Sequence, residues 1–310
     1  MSSLCPARRL LLLAVALLSA CAAAGTPAPA LQGVATRTEA AGVFGNYLAG
    51  RFAQAETDTA TAADALLEAL RREPDQTELL GRAFLAALLD GRADAVRLAR
   101  RLPDNQAAAL LLVGVEAQAG RWDRAESRIR ALPRQGPTQV LQPLLLAWAL
   151  QGKGQTDQAV AILRPLAESG RLRGIHALHL ALIAEQAGRG RDAERYARMA
   201  LAESPDASLR LLQLAGGILV RAGREAEALR LLDGLAGGMG DFAIAATTEA
   251  GRRALLAGRG VGGPTDGIAE AQLALAAALR GQGAGEAALV LARLSLRLRP
   301  GFAPTLLLIA

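Results

Sequence analysis

The sequence predicts an all-α chain, a solenoid of stacked antiparallel helix pairs, and three observations predict it. The first is a period. A glycine is followed five residues later by a small apolar residue in Gly91/Val96, Gly120/Ala125, Gly154/Ala159, Gly188/Ala193, Gly223/Ala228 and Gly283/Ala288. Successive glycines stand 29, 34, 34, 35 and 60 residues apart. A fixed spacing in this range marks stacked supersecondary units rather than a closed globule. The second is composition: 52% of the 310 residues are hydrophobic but only 3% aromatic. Alanine and leucine, both strong helix formers, therefore supply the core. The third is that no long alternating run rich in Val, Ile and Thr occurs, which argues against strands.

The chain begins with what reads as a secretory signal over residues 1–24. Arg8 and Arg9 form a charged start, and Leu10 to Leu18 form an apolar stretch too short to span a bilayer comfortably. Leu18-Ser19-Ala20-Cys21 then resembles a bacterial lipobox. That resemblance implies that Cys21 is lipidated, becomes the first mature residue and anchors the protein on the periplasmic side of a bacterial membrane. A fully acylated cysteine anchors firmly where a single chain does not. The alternative is ordinary cleavage at Ala22-Ala23-Ala24, which leaves a soluble periplasmic protein. Cys5 lies in the removed segment, so the mature chain has no free thiol and no disulfide to add to helix packing. Residues 25–38, with Pro27 and Pro29, read as a flexible tether.

Residues 39–236 read as an array of about six units. The first (about 43–76) carries Gly50, Ala62, Leu66, Ala69 and Pro74, with Thr57-Asp58 where the other turns have glycine. The second (77–105) has Leu80, Gly91 and Val96, and Pro103 shortens its second helix. The third (106–136) has Leu112, Gly120, Ala125 and Pro133, with Trp122 expected to pack inside its own unit. The fourth (140–173) has Leu146-Ala147, Gly154, Ala159 and Leu163, and Pro165 is expected to kink its second helix. The fifth is the clearest. A helix from about 174 to 187 carries Leu180-Ala181, Gly188-Arg189 turn the chain, and a second helix from about 192 to 203 carries Ala193, Ala197 and Ala200 before Pro205. The small residues let paired helices cross closely, glycine accepts the positive φ of a helix C-terminal turn, and proline stops the helix. The sixth (209–236) has Leu212, Gly216, Gly223 and Ala228.

Residues 237–266 hold a degenerate unit. Gly251 and Gly258 fall in register for a first helix and its turn, but Arg259-Gly260-Val261-Gly262-Gly263-Pro264 replaces the second helix. The expectation is a decayed repeat with a loose connector; the alternative is a loop that meets a partner or splits the superhelix into two arms. Residues 267–310 read as a last full unit, with Leu275-Ala276, Gly283, Ala288, Ala292 and Pro300. Phe302 to Ala310 then start a further helix and stop inside an apolar run, as a piece of a longer chain would.

Taken unit by unit, the pattern resembles the tetratricopeptide repeat, a helix–turn–helix unit with a small residue in each helix and often a closing proline. The resemblance implies a right-handed superhelix whose first helices line a concave groove for a peptide or helix of another protein. Carried over residue by residue, the groove is lined by Leu144, Trp148 and Gln151, by Leu178, Leu182, Glu185 and Gln186, and by Arg210, Gln213 and Arg221. Trp148 is the expected anchor, since tryptophan is enriched at binding centres. The alternative is that Leu144, Leu178 and Leu182 merely pack against neighbouring helices. The basic-plus-asparagine clamp that some relatives use on C-terminal carboxylates is missing.

The net charge is +6, and Lys153 is the only lysine. The arginines alternate with acids and form no dense run, which reads as solvated helix faces. No aromatics interleave with them, so nucleic acid is not an expected partner. His176 and His179, the only histidines, share a helix face, but no cysteine or carboxylate completes a metal site there. No G-x-S-x-G, H-E-x-x-H or P-loop occurs, and no strand precedes the glycine run at 260–263. No cofactor and no enzymatic activity are expected. The function that follows is a non-catalytic protein-binding scaffold of the bacterial cell envelope. The alternatives are a polysaccharide secretion or cell-wall component that binds an acidic polymer, and the regulatory part of a longer protein.

Overall fold

A computed structural model describes residues 42–204, 207–233 and 248–310. The signal and tether segments with Cys21, Pro205, and residues 237–247 of the degenerate unit lie outside the described residues.

Sixteen helices and no strand occur among the described residues. They pair consecutively as α1 (Val43–Ala55) with α2 (Thr59–Arg72), α3 (Thr77–Leu89) with α4 (Asp94–Ala99), and α5 (Gln106–Gln118) with α6 (Trp122–Arg130). Next come α7 (Pro137–Gly152) with α8 (Thr156–Ser169), α9 (Arg173–Gln186) with α10 (Gly190–Ala202), and α11 (Leu209–Arg221) with α12 (Glu225–Leu231). The single helix α13 (Glu249–Ala257) packs on α11 and α12. A last pair, α14 (Pro264–Gly281) and α15 (Gly285–Leu298), is followed by α16 (Ala303–Ile309). The fold is an all-α solenoid of helix pairs. No helix among the described residues is long and apolar enough to cross a membrane.

One turn geometry builds every pair. At Gly91, Gly120, Gly154, Gly188, Gly223 and Gly283 the backbone adopts φ between +67° and +80°. Two bonds recur around each: the glycine N–H reaches back three residues, and the next N–H reaches back five, at 2.8–2.9 Å. These satisfy the last helical carbonyls, as in the Schellman motif. Thr57 makes the same turn at φ +59°, the only non-glycine with positive φ among the described residues.

Burial matches most of the small-residue positions. Ala125, Ala159, Ala193, Ala228 and Ala288 are buried, but in the second unit Ala95 is buried and Val96 only half-buried. Helix α8 runs as one helix with Pro165 inside it. Trp122 also reaches beyond its own unit to Gly152 of the next, where an added β-carbon would come within 2.3 Å of the indole.

The last pair departs most from the sequence expectation. It does not extend the stack beyond α13. Helix α14 lies across α7 with contacts to α5 and α9, and α15 packs on α3 and α5. These are the first helices of units two to five, so the pair doubles back onto the inner face of the array. The glycine link makes this possible and is tightly held. Gly260 sits where a β-carbon would be 2.0 Å from Leu214 Cδ2, and Val261 is buried. The Gly260 carbonyl accepts from Arg299 at 2.7 Å and from Arg210 at 3.3 Å. Pro264 then opens α14 at a position where its missing N–H is not needed. One core cluster consequently runs from Ala53 through the array to Leu298 of the returning pair.

Candidate binding groove

The inner face centres on Trp148 in α7, which is fully buried. Its Nε1 donates to Nδ1 of His179 in α9 at 2.9 Å, and the two rings meet edge to face at 5.9 Å and 80°. Indole N–H can only donate, so Nδ1 of His179 is the unprotonated nitrogen and the ring proton sits on Nε2. Burial, helped by neighbouring His176, pushes His179 down to about 3. Burial also lowers His176, although its Nδ1 bond to the Leu172 carbonyl opposes this. Both imidazoles are therefore neutral parts of the core near neutral pH.

On its other side Trp148 carries the returning pair. A β-carbon at Gly267 would lie 2.2 Å from the indole, so only glycine allows α14 this close. Leu144, Leu178 and Leu182 are also buried. The expected open apolar stripe is thus closed at its centre by the chain itself.

Four polar members of the predicted lining, Gln151, Glu185, Arg210 and Arg221, are held in pairs. Glu185 pairs with Arg221 at 2.5 Å. Gln151 accepts from Thr156 at 2.9 Å, and Gln186 is half-buried. Arg210 of α11 grips Glu270 of α14 with two bonds, at 2.6 and 3.0 Å, and the Glu270 side chain is only 3% exposed. Glu270 and Gly267 were missed in the sequence. Their signal, a glycine and a carboxylate three residues apart on one helix, means nothing until the docking partner is known.

Beside this ion pair a cleft of about 780 Å³ remains open between α9, α11, α14 and α16. Its walls are mainly apolar, with Ile175, Leu178, Leu211, Leu273 and Leu307. Arg210, Glu270, Gln213 and Arg280 supply its polar edge. The volume falls in the range of pockets that enclose small ligands or peptide side chains. Of the predicted groove residues, Leu178, Arg210 and Gln213 line it.

Elsewhere a set of arginines is matched with carboxylates across the repeats. Arg92–Asp64, Arg189–Asp157, Arg198–Glu227, Arg224–Glu194 and Arg253–Glu225 each tie one unit to the next. Burial raises Glu116, but Arg121 and Arg128 outweigh it and hold its carboxyl below the usual range. The exposed pairs between units stabilise little individually.

A comparison of the chain with protein-family models finds no match, and a comparison with curated proteins finds none.

Proposed function

We propose that the protein is a non-catalytic binding scaffold, a tetratricopeptide-type array that holds a peptide or helix of a partner protein in the cleft between α9, α11, α14 and α16. The observation that carries this reading is the cleft itself: apolar walls, a few fixed polar groups at one edge, and room for side chains. Leu307, 59% exposed, would be covered by such a partner. The mainly apolar walls of the cleft favour a protein partner over an acidic polymer. With the lipobox-like segment, the reading extends to an exported protein anchored through Cys21.

A photoreactive phenylalanine analogue at position 307 of the full chain, irradiated with envelope extract, tests the cleft. A discrete adduct that disappears when Ala277→Arg fills the cleft is the expected result. Adducts unchanged by a folded Ala277→Arg protein would refute it. The anchor is tested separately: Cys21→Ala should move the protein from the membrane to the soluble fraction, and an unchanged distribution would remove the lipid from the account.

A further inference from the structure

We propose that the exposed ridge of α1 lies on an anionic lipid surface and orients the array on the membrane that holds Cys21; this rests on the lipid anchor of the proposed function and not on the cleft.

One helix builds the ridge. Phe44, Leu48 and Phe52 stand four residues apart, so they share one face of α1. Phe44 is 72% exposed, Leu48 49% and Phe52 69%. Among the described residues, the other large apolar side chains as open as these are Leu306 and Leu307 of α16. The opposite face of α1 is committed: Asn46, Gly50 and Ala53 are buried. A β-carbon at Gly50 would lie 2.6 Å from Leu66 Cγ, so α1 sits close on α2 and cannot roll its phenylalanines inward. An apolar patch left standing in this way marks an interaction surface.

Two observations select lipid as the occupant. The first is charge. Helix α1 has no acidic residue, and its one charge, Arg51, bonds to an uncharged group, the Tyr47 hydroxyl, at 3.4 Å. Arg82 of α3, paired with Glu78, stands over the Tyr47 ring at 5.6 Å. Phenylalanine and leucine edged by tyrosine and arginine suit a membrane interface, with the apolar side chains down and the cations at the phosphates. A two-fold contact with a second copy would instead set two ridges together with a cation on each α1 and an acid on neither.

The second is reach. Residues 22–42 separate Cys21 from Val43. A flexible coil of that length spans roughly 25 Å, so a lipid on Cys21 keeps α1 within reach of the bilayer. At 13 residues α1 is too short to cross it and lies along its surface. Three side chains orient the array but do not hold it there, so the ridge adds to an acyl anchor and does not replace it.

The test uses the chain matured in a bacterial host, carrying Trp122→Phe and Phe52→Trp. Trp122→Phe alone leaves the buried Trp148 as the reference indole. The probe is a vesicle of phosphatidylglycerol and phosphatidylethanolamine with brominated acyl chains, which quench an indole that enters the bilayer. The chain should sediment with the vesicles, emission from position 52 should shift to the blue and fall at least twofold, and the reference should not change. Adding Phe44→Ser or Arg51→Glu should reverse most of the quenching while the chain still sediments. Sedimentation without quenching at position 52 would overturn the ridge and leave the anchor standing. If the purified chain carries no acyl group, the anchor reading fails, and excess vesicles decide the ridge: quenching at position 52 supports it, and none overturns it. Emission at position 52 that is already blue-shifted without vesicles would mean that a second copy or the chain itself covers the ridge, and would also overturn it.

Discussion

Trp148 and Gly267 meet with no space for one further carbon: a β-carbon at 267 would stand 2.2 Å from the indole Cδ2. Both belong to packed helices, so neither backbone retreats freely. Gly267→Ala gains about 1 kcal/mol of helix propensity but overpacks a buried ring, which typically costs about 1–3 kcal/mol. We expect net destabilisation, together with a red shift of Trp148 emission as α14 lifts. Urea unfolding of the Trp122→Phe protein with and without Gly267→Ala measures both. An unchanged midpoint and spectrum would mean that the returning pair is not seated on Trp148.

This contact also shows which parts of the structure were legible in the sequence. The pairs were legible because their turn is local: a glycine closes the same two backbone bonds each time, wherever the units go. The buried alanines followed from the same register. The docking of α14 was not legible, because it joins residues such as Trp148 and Gly267, or Arg210 and Glu270, that lie far apart in the chain. In the sequence Gly267 resembles any small residue of a repeat, and Gly260 resembles loop filler. Trp148 was read as an exposed anchor for the same reason: nothing local says that the chain returns to cover it. The histidines were read as ordinary, and the acceptor role of His179 toward Trp148 depends on two helices of adjacent units facing each other.

The turns supply a prediction with opposite signs at two equivalent sites. Thr57 holds φ +59°, where a β-branched side chain crowds the backbone. The left-handed conformation costs an ordinary L-residue roughly 1–2 kcal/mol, against a smaller unfolded-state entropy loss for glycine. Thr57→Gly should therefore stabilise the protein slightly, while Gly188→Ala, at φ +72°, should destabilise it by a similar amount. Paired thermal melts of the two variants check this. Shifts of the same sign would contradict a shared turn geometry.

His179 makes stability fall on the acid side of neutrality. In the folded protein it stays neutral down to about pH 3, while its ordinary value is 6.5. Below 6.5 the unfolded chain thus binds a proton that the folded chain does not, so folding weakens as the pH falls. The loss amounts to about 1.4 kcal/mol per pH unit once the unfolded imidazole is fully titrated. His176 is lowered too and adds in the same direction. Glu116 and Glu126, held low by their basic neighbours, add a further loss only below their ordinary 4.5. Urea midpoints between pH 7 and pH 5 isolate the histidines. His179→Gln keeps an acceptor for Trp148 and removes the titration, so its midpoint should depend less on pH. A slope equal to that of the unaltered chain would place the effect elsewhere.

The glycine link provides the last prediction, because Gly260 and Leu214 are coupled by contact rather than by sequence. A β-carbon at 260 would lie 2.0 Å from Leu214 Cδ2, and Leu214 is itself buried, so its side chain has little room to turn away. Gly260→Ala alone should destabilise the fold by about 1–3 kcal/mol through overpacking. Leu214→Ala alone should cost about 2–5 kcal/mol by leaving a cavity. In the double variant the new methyl enters the space that leucine vacated, so the combined loss should be smaller than the sum by about 1–2 kcal/mol. A double-mutant cycle in urea measures the difference. Strict additivity would mean that the link does not lie on α11, and the return path that seats α14 over Trp148 would then need another anchor than the Gly260 carbonyl held by Arg210 and Arg299.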